Sequence, residues 1–172
     1  MPRPLLLFAI SLALAACAGG VSERAHLHPA PAATTAGARI VSAGKPLECV
    51  AYARKASAVS IRGDAWTWWR SAKGRYRRDN RPAVGSVLVL RRSNRLRLGH
   101  LAVVTRVVSK REIIVDHANW LNRGKVHLGT PVRDVSAAGD WSAVRVWYTP
   151  GRTLGRRTYP AYGFIHPTPA TT

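Results

Sequence analysis

A cysteine and a histidine near the middle of the chain carry the side chains that nucleophilic catalysis requires. Cys49 stands at the start of residues 46–57, which predict a helix whose dipole would favour the thiolate. His100 opens the apolar run 99–108, which predicts a strand. An imidazole that activates a thiol supports attack on carbonyl carbons, so this pair predicts acyl transfer. The alternative is a buried, inert cysteine and a histidine of the core.

A third polar group normally orients the imidazole, and the end of the next predicted strand offers three. The turn predicted at residues 109–110 brings that end beside His100. Strand alternation places His117 and Asn119 on one face and Asp116 on the other. We therefore expect His117 as the partner of His100, Asn119 as the second choice, and Asp116 only if a bulge turns it inward.

The spacing of apolar residues predicts the elements that position these groups. Residues 65, 68, 69 and 72 share one helical face and predict a second helix, which ends at Gly74. Helices followed by an antiparallel meander predict an α+β domain with N-terminal helices packed on an antiparallel β-sheet. The predicted strands are residues 84–90, 99–108, 111–115, 143–149 and 162–165.

The N-terminal residues predict export. Arg3 and the short apolar run 5–16 are typical of a secretory signal. The sequence Leu14-Ala15-Ala16-Cys17 resembles a bacterial lipobox, which implies cleavage before Cys17 and a lipid anchor on it. We expect the chain to face the periplasm from the outer membrane. Ordinary signal cleavage would instead give a soluble periplasmic or secreted protein.

The remainder of the chain divides by composition. Residues 17–45 are rich in Ala, Gly, Pro, Ser and Thr, which predicts a flexible tether. The first contacts of the tether with the domain are expected at its end, residues 37–44. Residues 46–166 form the predicted domain, and 167–172 a tail. We expect a monomer.

The charge of the chain predicts an anionic partner. Its 27 Lys and Arg against 8 Asp and Glu give a net charge of +19, with basic runs at 75–78 and 91–97. Nucleic acid fits this charge, but the export signal and the absence of a nucleic-acid motif argue against it. An anionic wall or membrane surface fits both the charge and the export signal.

The cysteine count limits the other classes. Only Cys17 and Cys49 are present, which excludes a disulfide scaffold and a zinc site made of cysteines. We expect no cofactor and no metal. A zinc hydrolase built on His100, His117 and either Asp116 or His127 is a weaker alternative, because the chain has no two-histidine metallopeptidase motif.

Five motifs in order resemble the CHAP domain, the cysteine, histidine-dependent amidohydrolase/peptidase family, over nearly all of residues 46–148. They are Glu48-Cys49-Val50-Ala51-Tyr52-Ala53, Gly63-Asp64-Ala65-Trp66, Arg81-Pro82-Ala83-Val84-Gly85-Ser86-Val87-Leu88-Val89, Gly99-His100-Leu101-Ala102-Val103-Val104 and His117-Ala118-Asn119-Trp120.

The resemblance implies a papain-like fold and a peptidoglycan hydrolase that cleaves amide bonds in the peptide part of the cell wall. It implies Cys49 as nucleophile and His100 as base. The backbone N–H groups of Glu48 and Cys49, at the predicted N-terminus of the helix, are the expected oxyanion donors. The family commonly has a carboxylate where this chain has His117, so a neutral group would orient His100 here. A non-catalytic, basic wall-binding module is the alternative function.

Overall fold

The computed structural model describes residues 37–121 and 124–168, which form mainly β-strand with few helices. The predicted signal segment 1–16, the lipidation candidate Cys17 and most of the tether lie outside these ranges. In chain order the elements are β1 (Arg39–Val41), α1 (Cys49–Ala56), a 3₁₀ turn (Ala65–Thr67), α2 (Trp68–Ser71), β2 (Arg78–Asp79), β3 (Val87–Leu90), β4 (His100–Ser109), β5 (Glu112–Ala118), β6 (Val126–Asp134), β7 (Ala143–Tyr148), a second 3₁₀ turn (Thr149–Gly151) and β8 (Thr153–Ile165).

Six of these strands close into an antiparallel β-barrel. Each of β3 to β7 pairs with the next strand along the chain, and β8 pairs with β3 to close the barrel. β1 extends the sheet beside β6, and β2 extends it beside β8. Closure pairs the strand edges that an open sheet would leave unpaired.

Strand β3 and residues 101–104 of β4 are buried on both faces, which explains the apolar sequence of these two segments. Val87 and Leu101 belong to one buried cluster, to which α1 contributes Cys49 and Ala53. The alternate residues, such as Leu88, belong to a second cluster that includes side chains from β3 to β8 and therefore fills the barrel. The site strand β4 is thus held from both sides.

Two features differ from the expectation of N-terminal helices on an open sheet. The second helix is one 3₁₀ turn followed by the four residues of α2, so it is too short to cover a sheet. The sheet also closes, because β6 and the long β8 supply pairing partners that the apolar pattern did not predict. In β6, Gly129 and Pro131 interrupt that pattern.

None of the helices in the described ranges has the length and apolarity needed to cross a bilayer.

Candidate active site

A cleft of about 730 Å³ is lined by three of the side chains that the sequence singled out, whereas His117 lies behind His100 and outside the lining. Its walls come from the start of α1, residues 63–65 and the loop before β4. Cys49, His100 and Asn119 all line it. His100 and Asn119 are 51 or more positions from Cys49 in the sequence. The packing of α1 on β4, the strand that begins at His100, brings all three to one cleft.

Cys49 is the first residue of α1 and carries a free thiol that is 9% exposed. Burial raises the pKa of this thiol, and the neighbouring Glu48 carboxylate raises it further. The backbone N–H groups of Leu101, Val50 and Cys49 itself face the sulfur and lower the pKa, but burial outweighs them. The thiolate expected from the helix terminus is therefore disfavoured, and the site at neutral pH holds a neutral thiol.

His100 and His117 form a buried hydrogen-bonded pair. The His100 Nε2 atom lies 2.9 Å from His117 Nδ1, and Trp120 packs beside both rings. Burial lowers the pKa of His100 to about 3, with the nearby His127 contributing, and burial also holds the pKa of His117 well below its usual range. Both rings are therefore neutral at pH 7, so one nitrogen of the pair donates and the other accepts.

Asn119 contacts other groups than His100. It follows β5 in a left-handed conformation with φ of 59°, which suits asparagine. Its Nδ2 donates to Glu48 Oε2 at 2.8 Å, and its Oδ1 accepts the Gly124 N–H at 2.9 Å. Asn119 thus fixes Glu48, the residue before Cys49, and both ends of its amide group are hydrogen-bonded.

Asp116 lies on the other face of β5, as strand alternation predicts. Its Oδ1 accepts the N–H of Gly129 in β6 at 2.7 Å. No bulge turns it toward His100: the regular alternation of β5 keeps His117 on the inner face together with Val115.

A second, larger groove adjoins the cleft, and the sequence analysis did not predict it. It has a volume of about 930 Å³ and shares Arg95, Leu96 and Asn119 with the cleft. The far wall comes from β7 and the start of β8, where Arg156 and Arg157 lie. Three arginines and three aromatic rings line it, and no carboxylate does among its described lining residues: Arg95, Arg156, Arg157, Trp120, Tyr148 and Tyr159.

The sequence signal for this groove was weak. Arg156 and Arg157 look like one more solvated basic pair in a chain with 27 basic residues. Only the long β8, which closes the barrel, brings them beside the cleft.

In residues 37–121 and 124–168, no group of three or more His, Cys, Asp or Glu side chains is arranged to hold a metal ion.

A search of curated proteins found no match to this chain. The family model described as "CHAP domain" matches residues 41–119. These residues include Cys49, His100, His117 and Asn119, so the match covers every side chain of the predicted catalytic set. It supports the CHAP family for this part of the chain, a family whose fold is papain-like and which is associated with hydrolase or peptidase activity on peptidoglycan.

Proposed function

We propose that this protein hydrolyses amide bonds in the peptide part of peptidoglycan through a Cys49–His100 mechanism. The observation that carries the proposal is the common cleft, which Cys49 and His100 both line although each is largely buried. A shared cleft is what a substrate carbonyl needs to reach a proposed nucleophile and base together.

The protonation states define the first step. His100 uses Nε2 toward His117, which leaves Nδ1 to accept the thiol proton. As that proton moves, the Cys49 sulfur attacks the amide carbonyl carbon and forms a tetrahedral intermediate. His100 then gives its proton to the leaving nitrogen, the C–N bond breaks, and a thioester remains. In this scheme the thiolate forms only when substrate is present, because the buried site disfavours it beforehand.

The second step reverses the roles. A water molecule gives a proton to His100 Nδ1 and adds to the thioester carbonyl, after which the C–S bond breaks and the thiol regains its proton. The backbone N–H groups of Glu48 and Cys49 are the proposed oxyanion donors, since the first turn of a helix leaves its N–H groups without intrahelical acceptors.

The direct test is release of soluble fragments from purified sacculi. Cys49→Ala and His100→Ala should each abolish release, whereas His166→Gln should retain it, because His166 is a buried histidine that contacts Asp79 and Arg77 instead of the cleft. Wild-type-like release by Cys49→Ala would contradict the mechanism. Mass analysis of the fragments distinguishes an amidase from an endopeptidase.

The arginine groove supports an anionic substrate segment beside the bond that is cut. Guanidinium groups bind carboxylates in two parallel hydrogen bonds, and peptide stems carry free carboxylates. The double substitution Arg156→Gln/Arg157→Gln should raise KM about 3- to 10-fold and leave kcat unchanged. Arg106→Gln is the matched control, because Arg106 is an exposed arginine of β4 outside the groove lining. Equal KM values for the two variants would remove the groove from the substrate site.

A non-catalytic wall-binding module is the second candidate, and the raised pKa of Cys49 is the observation that favours it. Such a module would bind sacculi equally well with and without Cys49 and release nothing in either case. Sedimentation of wild type and Cys49→Ala with sacculi, followed by fragment analysis, separates binding from hydrolysis. Salt-sensitive binding to DNA without affinity for sacculi would point to a nucleic-acid partner instead.

We also propose that Cys17 carries a lipid anchor that holds the domain at the cell envelope. The support is the lipobox-like sequence and the short apolar run before it. Mass spectrometry of the mature N-terminus is the test. A diacylated peptide beginning at Cys17 is expected, and an unmodified peptide would indicate a soluble exported protein.

A further inference from the structure

His127 is a buried histidine of β6 to which the mechanism above assigns no role. It is 1% exposed, and it is the cross-strand partner of His117. The two rings lie with centroids 5.3 Å apart at an interplanar angle of 69°. The hydrogen-bonded His100–His117 pair has nearly the same arrangement, at 5.1 Å and 79°. Three imidazole rings therefore follow one another from the cleft into the barrel wall.

A β-bulge turns His127 toward this row. Between two paired positions β5 advances from residue 115 to 117, while β6 advances from 130 to 127, so β6 contains one additional residue. That extra residue inverts the alternation of β6 and brings His127 to the face that carries Val132 and the barrel interior. Without the bulge, Leu128 would occupy the position opposite His117.

Gly129 makes the bulge possible. Its φ is +63°, and a Cβ there would lie 2.7 Å from the carbonyl oxygen of Gly37, so only glycine fits. The Asp116 carboxylate accepts its N–H and fixes the distortion. The carboxylate next to His117 therefore stabilises the backbone that aims His127.

The tautomers leave one donor of His117 to be satisfied. When His100 Nδ1 accepts the thiol proton, His100 Nε2–H must donate to His117 Nδ1, and His117 then carries its own proton on Nε2. This buried atom and both ring nitrogens of His127 have no hydrogen-bond partner among the described residues. A buried N–H without an acceptor is costly, and His127 is the polar side chain that packs against it.

We propose that His127 is a positioning residue that accepts a hydrogen bond from His117 Nε2–H through one buried water and completes a three-histidine relay. The relay rests on the proposed Cys49–His100 mechanism. By accepting this proton, neutral His127 makes His117 Nδ1 a better acceptor for His100, which in turn stabilises the His100 imidazolium that forms during catalysis. It orients His100 through His117 without placing a charge in the barrel wall.

The titratable groups around His127 set the pH range of this function. His117 faces it from β5, His100 lies beyond His117 on β4, and Lys125, which directly precedes β6, is the nearby cation. The residue paired with it from β1 is the apolar Ile40. Burial and Lys125 both disfavour its protonation, so His127 remains an acceptor at neutral pH.

The test compares His127→Phe, which removes the acceptor, with His127→Gln, whose amide oxygen restores one. His127→Phe should lower kcat about tenfold with KM unchanged and shift the acid limb of the pH profile, and His127→Gln should recover most of the loss. His166→Phe is the matched control for loss of a buried histidine; it should alter stability without altering the pH profile.

A second measurement keeps the relay testable apart from hydrolysis. Alkylation of Cys49 by iodoacetamide at pH 7 depends on proton transfer to His100 and needs no peptidoglycan. His127→Phe should slow it about tenfold, and His127→Gln should restore it. If the wild type released no fragments, the proposed function would fail while this comparison would still decide the relay. Folded His127→Phe with wild-type alkylation and pH dependence would overturn it.

Discussion

Removal of the acceptor from His117 is the sharpest single perturbation of the site. His117→Phe keeps a planar ring on the inner face of β5 but takes away the atom that lies 2.9 Å from His100 Nε2. His100 is buried and 4% exposed, so water would not replace that acceptor. A buried donor left unsatisfied costs about 1–3 kcal/mol. This cost falls on the transition state most strongly, because His100 is then an imidazolium and its Nε2–H bond is charge-assisted.

The expected result is a fall of about 5- to 150-fold in kcat/KM, which corresponds to a loss of about 1–3 kcal/mol in transition-state stabilisation. The assay is initial-rate release of soluble fragments from sacculi at pH 7, with urea unfolding measured in parallel. His117→Asp is the informative companion, since a carboxylate of suitable reach would stabilise the imidazolium and should retain more activity than the phenylalanine variant. Its aspartate would be buried, so some stability should be lost.

One outcome would refute this reasoning. If folded His117→Phe kept the kcat/KM of the wild type, the bond between the two histidines would have no role in orienting the base. A uniform loss in both variants that followed their urea midpoints would likewise assign His117 to stability alone.

Three further results are expected. Glu48→Gln removes the charge that raises the pKa of Cys49, so alkylation by iodoacetamide should reach its half-maximal rate at lower pH. The free energy of unfolding should fall as pH drops from 6.5 toward 3, because His100 and His117 stay neutral in the fold while the unfolded chain takes up protons; urea midpoints across this range measure it. Gly163→Ala should destabilise the protein by more than about 1 kcal/mol in urea, since φ is +124° and a Cβ would meet a backbone oxygen at 2.5 Å.

Each of these three predictions would be contradicted by a specific outcome. An unchanged alkylation profile in Glu48→Gln would mean that its carboxylate does not act on the sulfur. A double variant, His100→Phe/His117→Phe, that kept the full acid sensitivity would move the proton uptake to other groups. Gly74→Ala, at an exposed turn with open space around its Cα, is the control for Gly163→Ala and should cost less.

The local sequence was sufficient for the elements nearest the nucleophile and the base. Pro46 and the small apolar residues after it predict a helix at Cys49, and α1 begins there. The apolar run after Gly99 predicts β4, whose residues 101–104 are buried on both faces and therefore apolar, whereas residues 105–109 are exposed. The pairing of β4 with β5 follows from the short turn between them, and it brings His117 beside His100.

The remaining features depend on contacts between distant parts of the chain. β6 contains Gly129 and Pro131, which are normally depleted in strands, and it forms because β1, β5 and β7 supply partners. The protonation state of Cys49 also follows from tertiary packing. A helix N-terminus lowers a thiol pKa by a modest amount, and the burial that α1 gains against β4 exceeds it. The position of His127 could not be predicted from the sequence for a related reason. A single extra residue in β6 reverses which side chains face the barrel interior.

The histidine row depends on the bulge in β6, and β6 is one of the strands that close the barrel. An imidazolium in an apolar wall needs a partner, and a carboxylate at residue 117 would put a permanent charge beside Trp120 and the barrel interior. Neutral histidines avoid that charge. Each neutral ring accepts one hydrogen bond, however, and has one N–H of its own that needs an acceptor. The Gly129 bulge in β6 places His127 beside His117 as the next ring of this row. In the His117→Asp variant, the additional substitution His127→Phe should accordingly leave the activity unchanged. In the chain that retains His117, the same substitution should lower kcat. A double-mutant cycle of kcat measures this coupling, and additive effects of His117→Asp and His127→Phe would show that His127 does not act through His117.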